Sequence, residues 1–254
     1  MPAEQLHEPW RSFLREMDAQ LAGPTEIHCL GGFVVAECYG LTRPTSDVDI
    51  IRVRGASDVA DVQRIAGKGS PLAKKHRVYI DIMTVAHVPE RYEERLIDVY
   101  AGEFRNVRVR VFERHDLALA KLGRNQDYDR EDVRRLAQGP GLDAALLEQR
   151  YRDELRWQLA PDRDDLTLEL WIEMITELRS GIERTRVDSS AIASIGYDEF
   201  RQILELEYID GDVYRYFEVP AALHRALLDA PSIGQFVNAQ VRDAFGHEKV
   251  HALR

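Results

Sequence analysis

The sequence predicts an α+β fold: a mixed sheet with flanking helices, then a helical extension, then a small C-terminal module of a β-hairpin plus helices. Three observations carry this. Strand-like apolar runs alternate with segments of helical spacing through residue 112. Residues 115–184 show helical spacing only. Asp210-Gly211 separates two strand-like runs near the C-terminus, a strong hairpin signal. The expected domains are residues 1–114, 115–185 and 186–254.

Residues 4–22 read as an amphipathic helix, because Leu6, Trp10, Phe13, Leu14, Met17 and Leu21 recur at helical spacing. Gly23-Pro24 ends it. Residues 26–30 read as a short strand, Gly31-Gly32 as a tight turn, and residues 33–39 as the start of a helix. Residues 45–51 form the next strand and residues 57–66 a helix. Gly67-Lys68-Gly69-Ser70-Pro71 reads as a loop. The strand over residues 78–85 is almost wholly apolar, which predicts burial on both faces. Residues 91–101 look helical, and residues 107–112 alternate cleanly as a further strand. Beyond Gln138-Gly139-Pro140-Gly141, residues 142–158 and 166–184 predict two more helices. Leu166, Leu170, Ile172, Ile175 and Leu178 form an apolar stripe on the second, read as core packing. Residues 203–208 and 213–219 are expected strands, and Pro220 and Ser232 suit helix starts.

Composition sets bounds. The chain has 254 residues, 44% of them hydrophobic, which is ample for a core. A net charge of −10 argues against a protein that coats nucleic acid. Two local basic clusters stand out: Lys68, Lys74, Lys75 and Arg77, and then Arg105, Arg108, Arg110 and Arg114. Either set suits a polyanionic acceptor; a solvated face is the plainer reading of each residue. No run has transmembrane length, and the N-terminus lacks the apolar core of a signal peptide. Cys29 and Cys38 make no disulfide framework. These features predict a cytoplasmic protein with no membrane partner.

The chemistry concentrates in Thr45-Ser46-Asp47-Val48-Asp49-Ile50-Ile51. Strands alternate their side chains, so Asp47 and Asp49 share a face. Two carboxylates that close repel one another unless a cation lies between them. With Asp81 on a later strand, the set suits Mg2+ or Mn2+, which prefer oxygen ligands. Two such ions form the usual apparatus for attack on a phosphoryl group. The glycine turn at Gly31-Gly32, feeding a helix N-terminus, offers backbone N–H groups to a triphosphate. The eight histidines form no ligand pattern, so a zinc site is not expected. His28 reads as a strand or core residue.

Gly31-Gly32, then Asp47-x-Asp49, then Asp81 resembles the DNA polymerase β-type nucleotidyltransferase superfamily. The intervening residues 39–46 resemble its small prokaryotic branch of abortive-infection toxin-like and minimal nucleotidyltransferases. Residues 115–124 resemble that branch's helical lysine motif, and Asp129-Arg130-Glu131-Asp132-Val133 its acidic motif. The match spans residues 25 to 137. The resemblance implies a nucleotidyltransferase-type mixed sheet and transfer of a nucleoside monophosphate from an NTP to a hydroxyl acceptor, with release of pyrophosphate. It implies that Asp47, Asp49 and Asp81 bind metal and that Gly31, Gly32 and Ser46 lie at the nucleotide. Asp81 would also orient the acceptor hydroxyl, with its carboxylate available as base. Lys121 and Arg43 would neutralise phosphate charge. Asp129 and Asp132 would belong to the active site; as a plainer alternative, Asp129 caps a helix. The acceptor stays open among RNA, a protein hydroxyl and a small molecule, and a homo-oligomer is compatible with the sequence.

Residues 187–245, through Tyr197-Asp198, Tyr214-Arg215-Tyr216 and Val219-Pro220, resemble the KTSC domain. Tyr214 and Tyr216 would share a strand face, either stacking on bases or filling a small core. The segment's net acidity favours the core. A non-catalytic nucleotide- or RNA-binding adaptor, or an antitoxin-like partner, is the rival reading; the presence of all three acids argues against it.

Overall fold

The computed structural model describes residues 6–40, 45–139, 141–179 and 182–250. The chain divides into two compact units, residues 1–136 with 143–174, and residues 137–142 with 175–254.

The first unit is built on a five-stranded mixed sheet. Helix α1 (Trp10–Asp18) leads to β1 (Thr25–Leu30), α2 (Gly31–Tyr39) and β2 (Asp47–Gly55). Helices α3 (Val59–Ala66) and α4 (Pro71–His76) then cross to β3 (Tyr79–Ile82). After β4 (Ile97–Val99) and β5 (Val107–Val111), the sheet order is β3-β2-β1-β5-β4. β1 pairs antiparallel with β2 and parallel with β5, β2 pairs parallel with β3, and β4 pairs antiparallel with β5. A parallel pair needs a crossover, and α3 and α4 supply it between β2 and β3. Both helices are capped as their sequences dictate: the Asp58 side chain accepts from the Asp61 N–H, and the Ser70 side chain from the Ala73 N–H ahead of Pro71. α1 buries Trp10, Phe13, Leu14 and Met17, one face of a helix. Its Asp18 carboxylate accepts from the backbone N–H groups of Asn106 and Val107, both at 2.6 Å, which anchors the start of β5.

Helices α5 (Arg114–Leu122), α6 (Asp127–Gln138), α7 (Ala144–Arg150) and α8 (Pro161–Arg179) follow. Ile27, Cys29, Phe33, Ile50, Phe112 and Leu117 are wholly or almost wholly buried in the first unit.

Several expectations are corrected. Residues 91–101 are not a helix but a 3-10 turn (Tyr92–Arg95) followed by β4. The Arg95 guanidinium is forked between Asp116, at 2.8 and 3.1 Å, and Glu154, at 2.8 and 3.1 Å. Ile97 and Val99 then pair with Val111 and Val109, so apolar cross-strand contact favours an extended chain. β3 is an outer strand and Asp81 on it is exposed, so burial on both faces does not hold. The loop expected over residues 67–71 gives way to α4 at Pro71. Residues 142–158 break into α7, a π turn (Tyr151–Leu155) and a 3-10 turn (Arg156–Gln158). α8 begins at Pro161 and ends at Arg179, and Arg184 already belongs to a strand.

The second unit is larger than a hairpin. β6 (Arg184–Arg186), β7 (Ile192–Asp198), β8 (Ile203–Tyr208), β9 (Val213–Tyr216) and β10 (His247–Val250) form an antiparallel sheet in the order β10-β9-β8-β7-β6. The β8–β9 turn passes through Gly211, which has φ +89°. Helices α9 (Ala221–Leu228) and α10 (Ile233–Gln240) complete the unit. Tyr216, Leu204, Leu206, Val219, Leu227 and Val237 form its core, and Tyr214 packs against it. The tyrosine pair therefore fills the core. No helix of the described residues is long and apolar enough to cross a membrane.

Candidate functional site

The parallel register of β2 and β3 sets Asp49 beside Asp81 and Asp47 beside Tyr79. Paired residues point to one side of a sheet, so three carboxylates converge there. One oxygen from each of Asp47, Asp49 and Asp81 lies within 4.8 Å of the others.

A bulge adjusts this face. From Thr25 to His28, β1 pairs with β2 in one register, and at Cys29 the register slips by one, leaving Ile51 as the extra residue. Leu30 therefore faces Asp49. In the unslipped register Leu30 would face Ile50, and Asp49 would turn to the other side of the sheet.

Gly31 follows at once, and its φ of +79° suits glycine. A Cβ there would lie 1.8 Å from Oδ2 of Asp49. Gly31 and Gly32 form the first turn of α2, where Leu30 provides no side-chain cap. The backbone donors of that turn thus open beside the acids.

Burial pushes the pKa of Asp49 up to about 6, and the neighbouring Asp47 and Asp81 add to the rise, while Lys121 and Arg124 oppose it. Asp47 accepts from the Thr45 hydroxyl at 2.7 Å and lies 3.5 Å from the Tyr79 hydroxyl. An all-carboxylate donor set, one member of which holds its proton more tightly than a free aspartate, suits a hard divalent cation.

A cleft beside Asp49 is lined by Leu30, Gly31, Met83, His87, Lys121 and Arg124, among others. Lys121 is only 3% exposed on its helix, so it does not snorkel to solvent. Its Nζ lies 2.7 Å from Oδ2 of Asp132 and 3.8 Å from Oδ1 of Asp129. Arg124 makes a two-pronged bond to Asp129, at 2.8 and 2.6 Å, and its guanidinium lies 5.0 Å from the Tyr128 ring centre. Asp129 also accepts from the Gln126 N–H at the start of α6. Asp129 and Asp132 are thus fully buried counter-ions of the two cations and stand outside the carboxylate trio. Ser46 is exposed, and its carbonyl accepts from the Tyr79 N–H at 3.0 Å, which ties β2 to β3. Arg43 lies outside the described residues.

The sequence reading gave no role to Arg124, His87, Thr45 or Tyr79. Arg124 had a findable signal, since it stands three residues beyond Lys121, one helical turn along. His87 and Met83 reach the cleft from an irregular segment with no periodicity to read. His28 is a core residue: its Nε2 lies 2.7 Å from Glu26, its ring meets Tyr92 edge-on, and burial lowers its pKa.

Comparison with known proteins adds the following. Residues 188–245 match the KTSC domain, so the chain carries that domain near its C-terminus. An uncharacterised protein of Stutzerimonas stutzeri is 44% identical over 57 residues, covering 22% of this chain and 80% of that protein. A protein of Tsukamurella paurometabola is 48% identical over 59 residues, 23% of this chain and 88% of its own. A lysine–tRNA ligase of Nostoc punctiforme is 35% identical over 63 residues, which are only 11% of that enzyme. A crystal structure of a KTSC domain protein from Yersinia pestis shares 33% identity, with a TM-score of 0.27 over 27% of this chain and 97% of that one. Residues 22–179 span the sheet, the acids and the lysine helix, and over them the chain belongs to the family described as "nucleotidyltransferase of unknown function" (DUF6036).

Proposed function

We propose that the chain is a metal-dependent nucleotidyltransferase of the DNA polymerase β-type superfamily, transferring a nucleoside monophosphate from an NTP to a hydroxyl acceptor. The observation that carries this is the convergence of Asp47, Asp49 and Asp81, with Gly31 fitted against Asp49 and backed by the first turn of α2. Mg2+ or Mn2+ held by the three acids would supply charge neutralisation at the reacting phosphate.

The protein's own groups divide the remaining work. Backbone donors at Gly31 and Gly32 hold the triphosphate. Lys121 and Arg124, oriented by Asp132 and Asp129, balance charge on the departing pyrophosphate. The acceptor oxygen forms a bond to the α-phosphorus, the α–β bridging P–O bond breaks, and the acceptor proton passes to the exposed carboxylate of Asp81. Asp129 and Asp132 act through the cations they hold. Arg43 remains a candidate phosphate ligand by resemblance alone.

The test is incubation with each labelled NTP, Mg2+ and cellular RNA or lysate. Label should enter one class of acceptor with the wild type and none with Asp49→Asn. Equal labelling by both proteins would refute the assignment.

A further inference from the structure

The two basic clusters in the sequence look alike on paper, but the structure separates them. In the second, Arg108 and Arg110 both pair with Asp98 and Glu26. The Arg114 guanidinium donates to the Leu136 carbonyl and covers the Tyr39 ring. Arg105 is exposed, but it precedes the start of β5, which runs parallel to β1. The acids lie beside the opposite end of β1, at Leu30. Five residues of strand, about 17 Å, therefore separate Arg105 from them.

The first cluster is placed differently. Gly67 bridges to Ile80 alongside β3, which carries the turn holding Lys68 to the outer edge of the acid site. That approach requires glycine, since a Cβ on Gly67 would lie 2.3 Å from the Gln63 carbonyl oxygen. The Lys68 ammonium lies 5.5 Å from the centre of the Tyr79 ring, and the Tyr79 hydroxyl lies 3.5 Å from Asp47. Arg77 stands two residues before Tyr79, with Lys74 three residues before Arg77 in the last turn of α4. Lys68, Lys74 and Arg77 are all exposed. Of this cluster, Lys75 alone has an ion-pair partner among the described residues, in Glu16.

Lys68 and Tyr79 do not line the cleft that holds Lys121 and Arg124. The site therefore has two sets of cations. One, the buried Lys121 and the exposed Arg124, is tied to aspartates and lies beside Asp49. The other is exposed, has no ion-pair partner among the described residues, and stands at the Asp47 end. In-line transfer needs the leaving group and the acceptor on opposite sides of the α-phosphorus. If the set tied to aspartates takes the pyrophosphate, the β3-edge set faces the acceptor. A protein hydroxyl brings no phosphates for three exposed cations to meet, whereas a nucleic-acid terminus brings a row of them.

We propose that the β3 edge, through Lys68, Lys74 and Arg77, binds the phosphate backbone of a single-stranded nucleic-acid acceptor. This rests on the nucleotidyltransferase reading for the direction of transfer. Full-length protein is titrated into a fluorescein-labelled single-stranded RNA, and anisotropy is followed over a range of salt concentrations. Wild type should bind in a salt-dependent manner. Lys68→Glu/Arg77→Glu should bind at least about tenfold more weakly and lower the salt slope by about 1.4, the value for two lost single-strand contacts. Lys68→Gln should show a smaller loss in the same direction. Arg105→Glu, which reverses an equally exposed charge far from the acids, should bind as wild type. Calorimetry with a non-hydrolysable NTP should give one affinity for all four proteins. Wild-type RNA affinity in the double variant, an equal loss in Arg105→Glu, or no RNA binding by the wild type would overturn the interface. A parallel loss of nucleotide affinity in the Lys68 variants would also overturn it, by moving Lys68 to the nucleotide. Failure of the wild type to bind nucleotide while the RNA results hold would count against the nucleotidyltransferase reading alone.

Discussion

Gly31 and Asp49 are mutually constrained: a Cβ on the glycine would lie 1.8 Å from the Oδ2 of the aspartate. The end of β1, the bulge in β2 and the first turn of α2 all meet at this contact. Replacing Gly31 by Ala should be costly for two reasons, the positive φ and the collision. The expected loss exceeds about 1 kcal/mol of stability, and Mn2+ affinity should fall with it. Thermal melts with and without Mn2+ check both; a Gly31→Ala protein with an unchanged Mn2+-induced shift would contradict the prediction.

Asp49 should give the metal-free protein a characteristic pH dependence. Its pKa rises from 3.8 when unfolded to about 6 in the fold. Between those values the folded state binds more protons than the unfolded state, so stability should fall as pH rises from about 4 to about 6 and then level off. At about 1.4 kcal/mol per pKa unit, the whole change has an upper limit of about 3 kcal/mol. Asp49→Asn should remove this slope and be more stable than the wild type at neutral pH without metal. Stabilisation by Mg2+ should run the other way, growing as pH rises through about 6, because binding needs the ionised carboxylate. Denaturant melts across this range give the sign directly.

Lys121 and Asp132 form a buried pair, so Lys121→Met should destabilise the fold by about 3–5 kcal/mol, the cost of leaving a buried charge without this partner. Adding Asp132→Asn should recover part of that stability, since it removes the charge left behind. Nucleotide affinity should not return in the double variant. Calorimetry on a folded double variant with wild-type affinity would remove Lys121 from the triphosphate.

In the C-terminal unit, Glu205 and Arg215 are each nearly fully buried and bonded at 2.9 Å, and Arg184 reaches the same carboxylate at 2.8 Å. Glu205→Ala leaves the guanidinium of Arg215 without this partner, an effect of about 3–5 kcal/mol for a broken buried pair. Amide exchange over residues 187–245 should accelerate while Mn2+ binding stays unchanged. Coupled loss of both would show that the metal site depends on this unit.

Much of the site can be read along the chain because its logic is local. Alternation alone sets Asp47 and Asp49 on one face, and Gly31-Gly32 marks where a strand must turn into a helix. Asp210-Gly211 marks the β8–β9 turn. β4 escaped notice because three residues are too few to show a period and the segment before it carries charges at helix-like spacing. The sequence places Asp81 on a strand as a candidate ligand but does not show its exposure, since an apolar run looks the same on an inner strand and on an outer one.

The sequence by itself determined most of the elements around the candidate site, its candidate acids and glycines, and the module at its C-terminus. These depend on residue type and short spacing, which the chain carries within itself. Only the tertiary structure decided the rest. It chose the β2–β3 register that brings Asp81 beside Asp49, where a slip of one residue would send its carboxylate to the other face. It placed the Ile51 bulge that turns Asp49 toward Leu30. It gave Asp132 to Lys121 and Asp129 to Arg124, and it paired Arg108 and Arg110 while leaving Lys68 and Arg77 without an ion-pair partner among the described residues. Charge pairing between distant segments depends on which strands and helices become neighbours, and no local pattern encodes that.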